Sequence, residues 1–386
     1  MRKHPFLASV CICLISVAVT LVFCVSAFSL MFGGFSGLRE ALRIEEGRRA
    51  IERNFVGNIE NGALTDGALD GMAAATGDRW SYYMNAEQYD AYLEASANQY
   101  TGVGITVQQT EDGRGLRIVD VQEDSPAEKA GIVKEMVLLS INGESLASHT
   151  ADDAKRMISA AGGQEMLFVL ETKTGSHLSV SLHAETLHVR VVTYELRDDG
   201  LGYIRIRNFD SGAADGAIAA VDSLVEQGAG GIIFDVRGNP GGKLTELIKL
   251  LDHLLPEGVL FTSHNRSGAQ RTLTSGPDCV EIPMAVLIDG NSYSAAEFFA
   301  AALSEYGWAK TVGQPTTGKS RSQINVLLSD GGAMHLSTES YLTPNGVDLA
   351  EQGGLKPEIE IEQTEEGDAQ LDAAARCLLG TSDAAA

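Results

Sequence analysis

Two short apolar runs, each followed by a sharp glycine-bearing loop and then a helical pattern, constrain this chain more than any other feature. The first run, residues 231–236 (GIIFDV), ends in Arg237-Gly238-Asn239-Pro240-Gly241-Gly242. It leads to a helix over 243–255 with Leu244, Ile248, Leu251 and Leu255 inward. The second, Met284–Ile288 (MAVLI), lies between Pro283 and Asp289-Gly290-Asn291 and leads to a helix over 294–306. Unbroken apolar runs of this length read as strands buried on both faces, the pattern of a parallel sheet covered by helices. A strand at 201–206, a helix at 213–226 with Ile218, Val221, Leu224 and Val225 inward, and a short strand at 309–312 extend the alternation. Residues 187–363 are therefore expected to form one α/β core. Alternation at Ile324, Val326 and Leu328, then at Met334 and Leu336, adds an antiparallel hairpin around Asp330-Gly331-Gly332.

A chain of 386 residues has room for two or three domains at roughly 100–200 residues each. A net charge of −23 argues against non-specific binding to nucleic acid or to anionic lipid. Of five cysteines, Cys11, Cys13 and Cys24 fall in the apolar amino terminus, leaving Cys279 and Cys377 for the folded part. That excludes a disulfide framework and leaves either one bridge or two thiols. No Cys-x-x-Cys or His-x-x-x-His spacing points to zinc, and no cofactor is indicated.

Residues 6–32 contain no charged residue and follow Arg2 and Lys3. The run exceeds the roughly 20 residues that span a bilayer and the roughly 7–15 of a signal-peptide core, so a single-pass anchor over 1–33 is the first expectation. Val25-Ser26-Ala27 satisfies the small-residue rule for cleavage, so a secreted, cleaved form is the alternative. Arg39, Arg43, Arg48 and Arg49 outnumber Arg2 and Lys3, so charge does not decide orientation. A long following domain crosses largely regardless of charge, which favours an extracytoplasmic location for the rest of the chain.

Helical spacing at 38–56, 64–76 and 86–95 suggests a small helical subdomain over 34–97, with Trp80, Tyr82 and Tyr83 read as a packing cluster. From Tyr100 the period changes to two. Short strands around Ile105, Leu116, Val137–Ile141, Met166–Glu171 and residues 178–182, with one helix over 151–161, resemble a PDZ domain over 98–186. The resemblance rests on Gly102-Val103-Gly104-Ile105, on Ser125-Pro126-Ala127-Glu128-Lys129-Ala130-Gly131 and on Ile141-Asn142-Gly143. It implies a loop whose N–H groups converge on a peptide's terminal carboxylate while the peptide adds to a sheet edge. Taken alone, Gly102 and Gly104 are turn glycines. Glu135-Met136 stands where such domains usually carry Gly-Asp, which puts the usual tight turn there in question. Residues 364–386, acidic and Ala-rich, read as a surface helix or loose tail.

None of the eight histidines sits in a motif and no Gly-x-Ser-x-Gly elbow occurs; Gly290-Asn291-Ser292-Tyr293-Ser294 comes closest. By itself Ser294 reads as a helix cap and Lys319 as a solvated surface lysine. A lysine can act as a base if an apolar site lowers its pKa by about 2–3 units. No Asp or Glu between Tyr306 and Asp330 holds Lys319 charged by local pairing.

Ser294-Ala295-Ala296-Glu297, then Gly318-Lys319 with the lysine twenty-five positions after the serine, then Gln323 four positions later, resemble the C-terminal processing (tail-specific) serine peptidases. Gly77-Asp78-Arg79-Trp80-Ser81-Tyr82-Tyr83 and Asp235-x-Arg237-x-Asn239-Pro240-Gly241-Gly242 extend the resemblance. So do Tyr341-x-Thr343-Pro344-x-Gly346 and Gly353-Gly354-Leu355-Lys356-Pro357, over about residues 45–362. The resemblance implies a multidomain α/β serine endopeptidase with a crotonase/Clp-like core. It makes Ser294 the nucleophile, Lys319 the general base, Gln323 the residue orienting the lysine, and the N–H groups of Gly241 and Ala295 the oxyanion hole. Thr317, Ser320 and Arg321 depart from the family's usual Phe, Gly and Ser. The competing reading is a catalytically inactive PDZ adaptor or sensor at the membrane. Acyl-CoA chemistry is conceivable on the fold alone, though the PDZ insertion argues against it. The expected partners are protein or peptide substrates with accessible C-termini and a membrane reached through residues 6–32, with no nucleic acid; a homo-oligomer is left open.

Overall fold

The computed structural model describes residues 5–364 and 367–380; Arg2, Lys3 and the tail residues 365–366 and 381–386 lie outside the described residues. The chain divides between Gly77 and Asp78 into two compact units. The first holds the helices Pro5–Met31, Phe35–Asn54 and Ala63–Ala74. Within Pro5–Met31, the stretch Ile12–Met31 has a mean hydropathy of 2.5 and is almost wholly unburied. That is the length and composition of a membrane span or of a signal sequence.

The second unit is built on a six-stranded sheet in the order Val192–Leu196, Gly202–Ile206, Ile232–Asp235, Met284–Ile288, Ala309–Gly313, Ile359–Glu360. Its first pair is antiparallel and the remaining pairs are parallel. The two apolar runs lie side by side at its centre, Phe234 opposite Val286. Alternate residues serve opposite faces. Ile232, Phe234, Met284, Val286 and Ile288 pack with the helices Ala213–Glu226, Leu244–Leu254 and Ala295–Glu305. Ile233, Ala285 and Leu287 pack with Ala373, Ala374 and Ala375 of the helix Ala369–Leu379. The expected surface helix or tail after residue 364 is thus corrected over Ala369–Leu379. Its three buried alanines let the helix close the second face of the sheet, and Asp368 at its start is paired with Arg237 at 2.8 Å.

A second, antiparallel sheet runs Tyr82–Met84, Ala333–Leu342, Gly258–Asn265, Gln270–Ser275, with Arg321–Leu327 also on Ala333–Leu342. The helical subdomain expected over 34–97 is not one body. Tyr82–Met84 is a strand of this sheet, Tyr82 opposite His335, and Ala86–Ser96 follows it in the second unit. Pairing with a strand some 250 residues away overrode the local helical context, which periodicity cannot register.

Between these parts, Ile105–Gln109, Leu116–Val121, Val137–Ile141, Met166–Glu171 and His177–Leu182 form the PDZ sheet, closed by the helix Ala151–Ala160. Leu116, Ile118, Leu138, Met166 and Phe168 are fully buried, each contributing about 1.5–3 kcal/mol of transfer free energy. The ribbon Gln99–Gly102 with Glu185–His188 joins this domain to the core. The turn at Glu135 forms after all, with Glu135 itself at φ 70° in the region glycine favours. Cys279 and Cys377 are unbridged and half-buried.

Candidate active site and peptide groove

The loop after Met284–Ile288 is tied to the loop after Ile232–Asp235. Ser292 Oγ donates to the Val236 carbonyl at 2.8 Å, Asp289 Oδ1 accepts the Gly238 N–H at 2.9 Å, and the Tyr293 N–H reaches the Asn239 carbonyl at 3.1 Å. The two loops press together hard enough to require glycine: a Cβ on Gly241, which sits at φ 88°, would lie 2.8 Å from Ser294 Cβ. Ser294 itself takes φ 58°, ψ −123°, a conformation costing a non-glycine residue about 1–3 kcal/mol. Such strain persists only where surrounding structure enforces it, and here it turns the serine out at the start of the helix Ala295–Glu305. Glu297, in the first turn of that helix, reaches back to the serine, its carboxylate accepting the Ser294 N–H at 2.8 Å.

Glu297 is fully buried and also holds the lysine loop. It accepts the N–H of Gly318 at 2.7 Å, the N–H of Lys319 at 2.8 Å and the Thr316 hydroxyl. Thr317 adds two bonds to the serine loop, its N–H to the Ser292 carbonyl at 3.2 Å and its Oγ1 to the Gly290 carbonyl at 2.8 Å. Ser320 bonds to Asp348, and Arg321 reaches Asp78 at 4.0 Å. Each of the three residues that depart from the family pattern thus has a side-chain partner here.

Ser294, Ala295, Lys319, Gln323 and Gly241 line one cleft of about 620 Å³. Burial in it pulls the Lys319 amine down to about 8; Asp78 and Glu297 oppose that shift and Arg79 adds to it. No hydrogen bond joins the amine to Ser294 Oγ among the described residues, an ordinary situation in a site without substrate. The Ala295 N–H has no acceptor among them either, as expected in the first turn of a helix. The Gly241 N–H is directed to Asn239 Oδ1 at 2.8 Å. Gln323 donates to the Arg321 carbonyl and to Ser337 Oγ, both at 3.0 Å, rather than meeting Lys319.

Among the other residues that line the cleft, Trp80, Tyr92, Asp210 and His335 were not assigned to it by sequence reasoning. His335 lies against Tyr82 at 4.6 Å and Tyr92 at 5.6 Å between ring centroids, with Nδ1 2.7 Å from Asn325 Oδ1. Burial, then Lys319, lowers it to about 4. Asp210 is pushed up to about 6 by burial, which Lys243 opposes. For Trp80 the available signal was the Gly77–Tyr83 motif, whose aromatics were assigned to packing; Tyr92, Asp210 and His335 carried no such signal.

A larger cavity, about 970 Å³, lies along Gly102, Val103, Gly104 and Ile105 on one side and Ala151, Ala154, Lys155 and Ile158 on the other. Gly104 sits at φ 85°, where a Cβ would fall 2.1 Å from that of Ser125. The N–H groups of Val103 and Gly104 have no acceptor among the described residues, and Ile105–Gln109 is the edge strand of its sheet. Such an edge accepts an added strand.

Comparison with known proteins bears on the same two regions. The family described as peptidase family S41 matches residues 200–361, and the PDZ domain family matches 117–172. The carboxy-terminal processing protease CtpA of Bacillus subtilis is 29% identical over 322 residues, covering 83% of this chain and 68% of the relative. CtpB of the same organism is 28% identical over 328 residues, with 83% and 68% covered. The chain thus spans about two thirds of the length of these relatives. In fold, a photosystem II D1 C-terminal processing protease aligns at a TM-score of 0.51 with 22% identity, covering 89% of this chain and 97% of that one. With the S41 match lying over the loops of Ser294 and Lys319 and the PDZ match over the domain before them, the chain carries a peptidase family S41 region and a PDZ domain and is similar to the carboxy-terminal processing proteases.

Proposed function

We propose that this chain is a membrane-tethered serine endopeptidase that holds a substrate's C-terminus in the PDZ groove and cleaves through an acyl-enzyme on Ser294. The observation that supports this most is the shared cleft, in which a strained serine and a half-buried lysine lacking an acidic hydrogen-bond partner face the same space. Neutral Lys319 takes the proton of Ser294 Oγ as the oxygen attacks the scissile carbonyl. The developing oxyanion is held by the free Ala295 N–H at the helix start, where the dipole also favours negative charge. Gly241 supplies a second donor once its N–H exchanges Asn239 Oδ1 for the oxyanion; one such donor is worth roughly 3–4 kcal/mol in the transition state. Lys319 then returns the proton to the leaving amine. Water, deprotonated by the same amine, attacks the ester carbonyl; collapse expels Ser294 Oγ, which takes the proton back from Lys319 as the acid product leaves. The apolar N-terminal helix is retained as an anchor in this reading, with the catalytic part outside the cytoplasm.

The test compares wild type and Ser294→Ala on an unstructured peptide bearing a free or an amidated C-terminus. Cleavage is lost in Ser294→Ala while binding of the free-acid peptide remains, and amidation weakens binding to both proteins. Persistent cleavage by Ser294→Ala would sink the assignment. An inactive wild type that still prefers the free acid would favour the adaptor reading.

A further inference from the structure

The Lys319 amine makes no hydrogen bond to any described residue, and its close neighbours are ring faces. Nζ lies 4.5 Å from the Trp80 ring centroid and 5.9 Å from that of Tyr293. Those two rings are themselves in contact, 5.4 Å between centroids. The residue expected to orient the lysine, Gln323, is engaged with Arg321 and Ser337 instead. The two rings come from segments far apart in the chain. Tyr293 precedes Ser294 on its own loop. Trp80 is carried by a turn in which Asp78 accepts the Trp80 N–H at 3.3 Å and the Ser81 hydroxyl at 2.6 Å. Ser81 Oγ in turn accepts the Ser337 N–H at 3.0 Å, locking the turn to the antiparallel sheet.

We propose that Trp80 and Tyr293 form an aromatic clamp that positions the Lys319 amine over the cleft and keeps water from it, a role beyond packing. The proposal rests on the reading of Lys319 as the base. A ring face attracts the ammonium form, and its apolar surface also shelters the neutral amine from water, so one clamp serves both states of the proton cycle. The charged and titratable groups around the amine are Asp78 and Arg79 on the Trp80 turn, Arg321 paired to Asp78, Glu297 on the serine helix and His335 on the antiparallel sheet. Burial outweighs the two carboxylates among them, and the rings provide part of that burial. Trp80 and Tyr293 are positioning residues on this account, since they act through the lysine.

The experiment measures kcat/KM against pH for the full chain with a fluorogenic peptide, in wild type, Trp80→Ala, Trp80→Phe and Lys319→Ala. Trp80→Ala removes both the ring's attraction for the ammonium and its shelter from water; because burial is the largest influence on this amine, the gain in hydration wins and the acid limb moves upward from about 8 toward the ordinary 10.5. A limb raised by about one unit lowers kcat/KM roughly tenfold at neutral pH, with activity returning in alkali. The loss falls on kcat more than on KM, and Trp80→Phe restores most of it by returning a ring face. An acid limb unmoved in Trp80→Ala overturns the proposal, as does a Trp80→Phe enzyme that is inactive at every pH. Activity retained by Lys319→Ala is a separate outcome: it removes the base reading itself.

Discussion

The two halves of the catalytic cleft are built in different ways. The serine half is local: a buried strand, a short loop over 289–294 and a helix, all within Met284–Glu305 and braced by the neighbouring strand's loop. The lysine half is assembled from distant pieces. It joins the 314–320 loop, the antiparallel strands Arg321–Leu327 and Ala333–Leu342, and the Trp80 turn, which bonds to that sheet across 256 residues of sequence. The nucleophile's geometry is thus fixed by a few adjacent residues, whereas the setting of its partner depends on the whole unit having folded. Glu297 grips both halves directly, and the Thr317 hydroxyl adds a second bond between them.

That contrast predicts a graded series. The largest effect belongs to Glu297→Ala, which strands the N–H groups of Ser294, Gly318 and Lys319. Roughly 3 kcal/mol of stability should go with those unpaired donors, read as a lower urea midpoint, and cleavage should fall by about two orders of magnitude. If cleavage survives at near wild-type rates in a stable Glu297→Ala protein, the halves are held together by something other than this carboxylate. A smaller effect is expected at Arg321, whose ion pair with Asp78 is 4.0 Å long and exposed on the arginine side. Arg321→Ala should cost less than about 1 kcal/mol, visible as a slight drop in thermal midpoint that disappears in high salt. A loss of the same size as that of Glu297→Ala would mean the rim of the lysine half, and not its buried carboxylate, sets the geometry.

The same division explains what could be read from the residues. The central sheet was legible because 231–236 and Met284–Ile288 announce buried parallel strands by composition alone. Ser294, Ala295 and Lys319 entered through a motif with fixed spacing, and the fold brings them to one cleft. Tyr82–Met84, the hairpin Gly258–Asn265 with Gln270–Ser275, and the burial of Ala369–Leu379 were not legible. Each is a short or weakly patterned segment whose state is decided by a partner remote in sequence. The aromatic turn at Trp80 shows the cost most plainly, because a cluster that reads as packing lies over the lysine amine. Gln323 teaches the converse: the motif placed it in the cleft, but hydrogen bonding within its own sheet turned its amide elsewhere.

The account's central claim is that Ser294 and Lys319 act as one unit despite these different origins. It is tested most directly by the rate at which a serine-acylating probe modifies the full chain between pH 6 and 10, with the site found by peptide mapping. The amine must be neutral to accept the serine's proton. Labelling should therefore fall on Ser294, rise as pH climbs through about 8, and be abolished in Lys319→Arg, because Arg stays protonated. Labelling of Ser294 at an undiminished rate in Lys319→Arg, or a rate flat across that range, would contradict it.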